Sequence, residues 1–244
     1  MTPAARIAVE RRGETSVIAE LSSSAPVGLR PLSPVGPLAR VALVQTSACL
    51  AAGDDVAMQV RVGPGASLEI VEISATLAHP VPATRTPIAQ MVQVDLSTGA
   101  RLLWLAEPLV LAAGTRMRRR LNVATATSSR ALLGETVVFG RDGEEAGDAR
   151  TRVRITRDAR AVLDEGLATG DPAVLRSAAV AGAARVCAAL TLVGVDPPQP
   201  LAAGALRLGP QDTTFRCLGS EAADTHARCA TVASSWRRAL LRAA

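Results

Sequence analysis

The sequence predicts an all-β protein: stacked hairpins forming an elongated, β-helix-like or solenoid-like sheet stack, with two α-helices in the C-terminal third. Three observations predict it. The first is alternation. In Asp54–Ile73, Val56, Met58, Val60 and Val62 alternate with Ala57, Gln59 and Arg61, the period of a strand. Gly63-Pro64-Gly65 breaks the run, and Ala66 opens a second strand through Leu68, Ile70 and Glu72. The second is recurrence. Strand, turn and strand return at 93–108, 121–139 and 153–167, with small residues leaving the turns at Ala66, Ala100, Ala131 and Ala161. A period of about 30 residues belongs to stacked units that share one long core, although an ordinary meander has a similar look. The third is the change to helical spacing after Asp171.

The remaining elements follow in order. Arg6–Val9 and Thr15–Leu21 read as a hairpin across Arg12-Gly13, and the Ser-, Pro- and Gly-rich stretch 22–38 reads as a long irregular connection. Ala39–Thr46 is a strand and Ser47–Asp55 a tight turn. Ser74–Pro87 is a loop and Ile88–Leu96 a strand. Arg141–Ala149 is a polar hairpin tip. Asp171 is an N-cap candidate before Pro172, and Leu175, Ala179, Gly182, Val186, Leu190 and Val193 recur at helical spacing, predicting a helix over Asp171–Val193. Two short strands near Leu206 and Phe215 and a helix over Asp224–Arg242 complete a single domain spanning 1–244. Its parts are 1–38 (hairpin and connection), 39–170 (the repeats) and 171–244.

Composition narrows the function. Nearly half of the 244 residues are apolar, but there are only two Trp, two Phe and no Tyr, so the core is aliphatic. All 27 basic residues are Arg, and the net charge is +5. A basic chain has nucleic acid or another anionic partner open to it. The scarcity of aromatic rings argues against single-strand binding. Arg116, Arg118 and Arg120 share one face of a strand, either a solvated sheet face or a surface for an anionic partner. The four cysteines have no zinc spacing and nothing resembles a signal peptide, which points to a cytoplasmic protein with reduced thiols.

No nucleophile elbow, phosphate loop, dinucleotide fingerprint or zincin motif is present, so an enzyme is not expected. Metal ligation has three weak candidates. His226 and Cys229 lie three apart on the last helix, and Cys49 sits in a turn; all three are equally at home as structural residues. Glu72, Glu107, Glu135 and Glu165 follow the turns periodically. Either they end strands at the solvent edge, or they line a wet interior where their oxygens can meet a divalent ion.

Four segments carry a resemblance. They are QTSACLAAGDD with its following hairpin (45–79), LLWLAEPLVLAAGTRMRRRLNV (102–123), LLGETVVFGRDGEEAG (132–147) and SSWRRALLRA (234–243). Together and in this order they resemble the urease accessory protein UreD (UreH) family. Departures include Ala48-Cys49 where the family has Gly-Gly, Leu77–His79 in place of a basic and Tyr-bearing segment, and Ala106 in place of Pro. The resemblance implies a non-catalytic scaffold or chaperone that binds UreF, which recruits the GTPase UreG, on apo-urease, as a dimer within the complex. It implies no permanently bound cofactor, with Ni2+ in transit through an internal passage. By the same analogy Asp54, Glu107 and Glu135 are candidate passage residues with Arg141 as their ion partner. The helix carrying Leu175, Val186 and Leu190 is the expected partner-facing element. The competing class is a basic β-scaffold unrelated to urease, binding nucleic acid or another anion.

Overall fold

The computed structural model of the chain describes residues 4–242, and its architecture starts at the turns. Strand β1 (Ala4–Arg12) pairs antiparallel with β2 (Thr15–Ser22), and β3 (Val27–Val35) with β4 (Leu38–Gln45). The repeats follow: β5 (Asp55–Val62) and β6 (Ser67–Glu72), then short β7 (Thr76–Ala78); β8 (Ile88–Leu96) and β9 (Arg101–Leu105), then short β10 (Leu109–Leu111); β11 (Arg116–Thr125) and β12 (Arg130–Phe139). Gly65 and Gly99 hold φ of +64° and +69° at the first two turns, and Ser128 holds +63° at the third. In each turn the next residue donates its N–H three positions back: Ala66 to Gly63, Ala100 to Ser97, Ser129 to Ala126. The chain therefore leaves one sheet and enters the other. The two strands of a unit do not pair with each other, so the units are arches and not hairpins.

Stacking the arches pairs like with like. Strands β1, β5, β8, β11 and β13 (Asp148–Arg157) run parallel in one seven-stranded sheet. Strands β4, β6, β9 and β12 run parallel in the other. The result is a β-solenoid of about four turns. Inward residues stack in columns, such as Met58, Val92 and Leu121, or Leu68, Leu102 and Ala131, all nearly inaccessible. Burying aliphatic side chains at about 25 cal/mol per Å² drives the stack, and the aromatic-poor composition suits it because columns of Val and Leu interdigitate at one rung spacing.

Two sequence readings of the repeat need correction. At the corners Ala66 and Ala100 stack, but the third corner residue is Ser129, not Ala131, which lies two residues into β12. The fourth unit is a true hairpin. Asp158 and Ala159 both have positive φ (48° and 64°), a type I′ arrangement that turns β13 back antiparallel onto β14 (Arg160–Ala168). Ala161 is consequently exposed. The proposed connection over 22–38 also contains a full strand, β3, at the edge of the second sheet.

The helix expected over Asp171–Val193 shrinks to α1 (Pro172–Leu175). Asp171 caps it as expected, accepting from the N–H groups of Ala173 and Val174. Val186–Val193 is instead strand β15, antiparallel to β12 and to β17 (Asp212–Gly219), beside β16 (Ala205–Gly209). The reason is that Val186, Ala188, Leu190 and Leu192 also alternate at period 2, and long-range pairing selects that period. Leu175, Val186 and Leu190 do not form one helical face, and all three are buried within the chain's own core. The last helix, α2 (Ala222–Arg242), packs Cys229, Ala233, Trp236 and Leu240 over Leu103, Leu132, Leu190 and Phe215 on the outer face of the second sheet. Glu69 clasps it there, accepting from Arg40 (2.6 Å) and Arg237 (2.9 Å). Among the described residues no helix is long and apolar enough to cross a membrane.

Gly194 enters the turn after β15 with φ +71°, and a Cβ there would lie 2.3 Å from the Ser129 carbonyl oxygen. Gly194→Ala is expected to lower stability by about 3 kcal/mol in denaturant unfolding, whereas Gly13→Ala, also at positive φ but facing open space, is expected to cost about 1 kcal/mol.

Candidate functional site, an acidic row inside the solenoid

The arches place one polar position in the apolar interior. Glu72 ends β6 and Glu135 lies in β12. Leu105 of β9 pairs with Val71 on one side and Gly134 on the other, so Ala106 sits between the two glutamates. On the far side of Glu135, β15 contributes Ala189 and β17 then contributes Arg216. Glu165 of β14 pairs with Arg216. A row of carboxylates thus crosses the rungs of the stack.

Glu72, Glu135 and Glu165 each have defined partners. Glu72 accepts from the indole Nε1 of Trp104 (2.9 Å) and from the backbone N–H of Glu107 (3.0 Å). Burial pushes its carboxyl above the usual range; the two hydrogen bonds oppose that shift without cancelling it. Glu135 pairs with the Arg119 guanidinium, which reaches across from the first sheet and also donates to Gln90 (3.1 Å). Their side chains are only 20% and 13% exposed, so removing one leaves the other with a desolvated charge. Burial also raises Glu165, more than Arg216 lowers it, and Glu135 adds to the rise.

Three cavities meet at these groups. One of about 60 Å³ is bounded by Glu72, Gln90, Trp104, Glu107 and Arg119. A second, about 50 Å³, is bounded by Glu135, Thr151, Glu165, Cys187 and Thr191. The third, about 210 Å³, lies under α2 and is lined by Glu107, Glu135, His226 and Cys229. Glu107 is common to the first and third, and Glu135 to the second and third. Each space exceeds what one water needs, and each has polar groups among its mainly apolar walls.

The structure therefore brings together Glu72, Glu107, Glu135 and Glu165, and separates the others. Asp54 lies in the turn before β5, where its carboxylate accepts from the Ala51 N–H (2.7 Å). Arg141 is not the partner of these glutamates. It is exposed and pairs with Glu144, whose carboxyl this contact pulls down to about 2. The ion partner of Glu135 is Arg119, hidden in the sequence inside a run of arginines. Strand alternation was the available signal: Arg116, Arg118 and Arg120 face outward, so Arg119 faces inward. Cys229 is buried and its thiol is pushed up to about 11 by burial, while His226 is exposed, so the two do not present a ready ligand pair. Cys49 stands in a turn whose backbone is tied by Ser47. Among the described residues no three His, Cys, Asp or Glu converge on one point.

The geometry also explains the resembling motifs. Trp104 satisfies Glu72, and Gly140 has φ +87° with carbonyls of Glu144 and Glu145 within 2.7 Å of where a Cβ would be. The urease accessory protein UreD family model matches residues 2–244. The chain belongs to the UreD family of urease accessory proteins. It is 37% identical to urease accessory protein UreD 1 of Streptomyces griseus over 95% of this chain and 90% of that protein. It is 32% identical to UreD 1 of Saccharopolyspora erythraea over 83% of this chain and 80% of that one.

Two expectations follow for this UreD chain. Glu72 and Glu165 keep their protons to higher pH when folded than when unfolded, so they lower stability as pH rises from about 4.5 through their raised values. Glu144 and Asp164, both lowered by arginine contacts, do the opposite, and their contribution is lost as pH falls below the ordinary carboxylate range. Thermal unfolding scans should show both arms, and Glu165→Gln should weaken only the one set by the raised carboxyls. Trp104→Phe, which removes the indole donor to Glu72, is expected to cost about 1–3 kcal/mol by denaturant titration.

Proposed function

We propose that this chain is the scaffold of a urease-activating assembly, and that its acidic interior passes nickel toward the enzyme. Family membership supports a role in urease maturation. In the finer reading the chain binds UreF, through it the GTPase UreG, and docks on apo-urease, two copies acting within one complex. Its part is non-catalytic: it holds partners and guides a cation. The observation that carries this reading is the row Glu72, Glu107, Glu135 and Glu165, whose members line three neighbouring cavities.

The chemistry of the row suits a cargo and not a resident ion. The carboxylates are spread along the stack, so Ni2+ entering it meets one or two oxygen donors and water at a time. Such sites bind a divalent ion weakly enough to release it. Burial disfavours the ionised forms of Glu72 and Glu165, and an arriving cation offsets that cost. At Glu135 the cation competes instead with Arg119, which must swing aside. The Arg119–Glu135 pair thereby sets the barrier between the first cavity and the second.

The test is co-expression of the cognate urease operon with the wild-type chain or with variants, followed by metal analysis of the purified urease. Glu135→Gln keeps a hydrogen-bonding group opposite Arg119 and removes the charge. It is expected to leave recovery of the UreF-containing complex unchanged and to lower urease nickel content severalfold. Asp54→Asn, in its turn, is expected to leave nickel loading at the wild-type level. Full loading with Glu135→Gln would overturn the passage reading, and full loading without the gene would overturn the maturation role.

A further inference from the structure

The outer face of the first sheet holds a charge pattern that the interior row does not use. Strands β11 and β13 run parallel with Arg118 opposite Arg150 and Arg120 opposite Arg152. Neighbouring strands are about 4.8 Å apart, and alternate residues along a strand about 6.7 Å. The four arginines therefore stand at the corners of a small rectangle. They line a shallow depression of about 640 Å³ with Arg119, Thr151, Asp164 and Gly166. Asp164 pairs with Arg152 at 2.7 Å and approaches Arg154 at 3.9 Å. Among the described residues no carboxylate pairs with Arg118, Arg120 or Arg150, and all three are exposed. Like charges directly opposite on paired strands work against the fold. A ligand that neutralises them removes that cost.

We infer that this face binds an extended acidic segment of a partner protein, carrying carboxylates at alternate residues. Three features choose that occupant. An extended segment with Asp or Glu at every second position repeats at the spacing from Arg118 to Arg120 and from Arg150 to Arg152, so each carboxylate meets a guanidinium fork. The cluster is bounded: Asp148 lies two residues before Arg150, Asp164 stands beside Arg152, and Asp95 faces outward on β8. A continuous phosphate backbone would run onto those carboxylates, whereas a short acidic segment ends before them. Both Trp and both Phe are buried and there is no Tyr, so this face offers no Trp, Phe or Tyr ring on which a base could stack. Arg119 and Thr151 border both this depression and the interior cavities, but the arginines assigned to the ligand, Arg118, Arg120, Arg150 and Arg152, line none of the three cavities, so the inference stands apart from nickel passage.

The experiment uses the full chain and a fluorescein-labelled peptide of about eight residues, alternating Glu and Ser, read by anisotropy near 0.05 M salt. Arg118→Glu with Arg150→Glu is expected to weaken binding at least about tenfold. Arg6→Glu with Arg61→Glu makes the same change in net charge elsewhere on the chain and is expected to change binding by less than about twofold. Unchanged thermal midpoints establish that the variants are folded; if the glutamate pair does not fold, Arg118→Ser with Arg150→Ser is expected to give a smaller loss in the same direction. Equal weakening by both pairs, or no binding by the wild-type chain, would overturn the inference. Tighter binding of a duplex DNA of about 20 base pairs than of the peptide would also overturn it and make the face a nucleic-acid surface.

Discussion

A left-handed backbone conformation at one corner of each turn sets the architecture. With Gly65, Gly99 and Ser128 at positive φ, the chain passes from one sheet to the other without folding back on itself. Each strand is then free to pair with its counterpart one repeat away, and the paired strands run parallel. Parallel stacking puts equivalent residues in columns, so one apolar pattern, written three times, builds a continuous core. At Asp158-Ala159 two consecutive positive φ values turn the chain into a hairpin, and the parallel progression of the first sheet ends there.

The same columns that build the core also build the site. Carboxylates at the same distance beyond the first and third corners fall in one row when the turns stack. Glu72 and Glu135 flank Ala106, and Glu107 reaches the row through its backbone contact with Glu72. Such a row is costly in an aliphatic interior. It is held by Trp104, Arg119 and Arg216, each from a different strand, and by cavities large enough for water. The result is an interior that is aliphatic at the turns and carries carboxylates along one line. Among the described residues no three His, Cys, Asp or Glu gather at any one point along it.

The outer surfaces divide the remaining work. The second sheet's face is covered by α2, held by its apolar side and by the Arg40–Glu69–Arg237 clasp. The element that sequence periodicity offered as a partner surface, Leu175 to Leu190, is consumed in this packing. The first sheet's face stays open and carries its arginines in pairs across two strands. Strand alternation gives one run of arginines two roles: Arg119 goes inward to Glu135, and Arg118 and Arg120 go outward.

The sequence by itself determined the β class, the repeated strand–turn–strand unit, the N-terminal hairpin, the C-terminal helix and the periodic glutamates. These are local properties, carried by alternation over a few residues and by Gly and Pro at turns. It also carried the resemblance to the UreD family through four ordered motifs. Only the tertiary structure decided the rest. Whether a strand pairs with its neighbour or with the next repeat depends on corner dihedrals at residues such as Ser128, which local composition does not announce. Val186–Val193 fits both a helical and a strand period, and β12 and β17 on either side settle it. Arg119 and Arg141 are both arginines near the right segments. Only the direction of one side chain into the stack, fixed by parallel register with β8 and β13, makes Arg119 the partner of Glu135 and leaves Arg141 at the surface with Glu144.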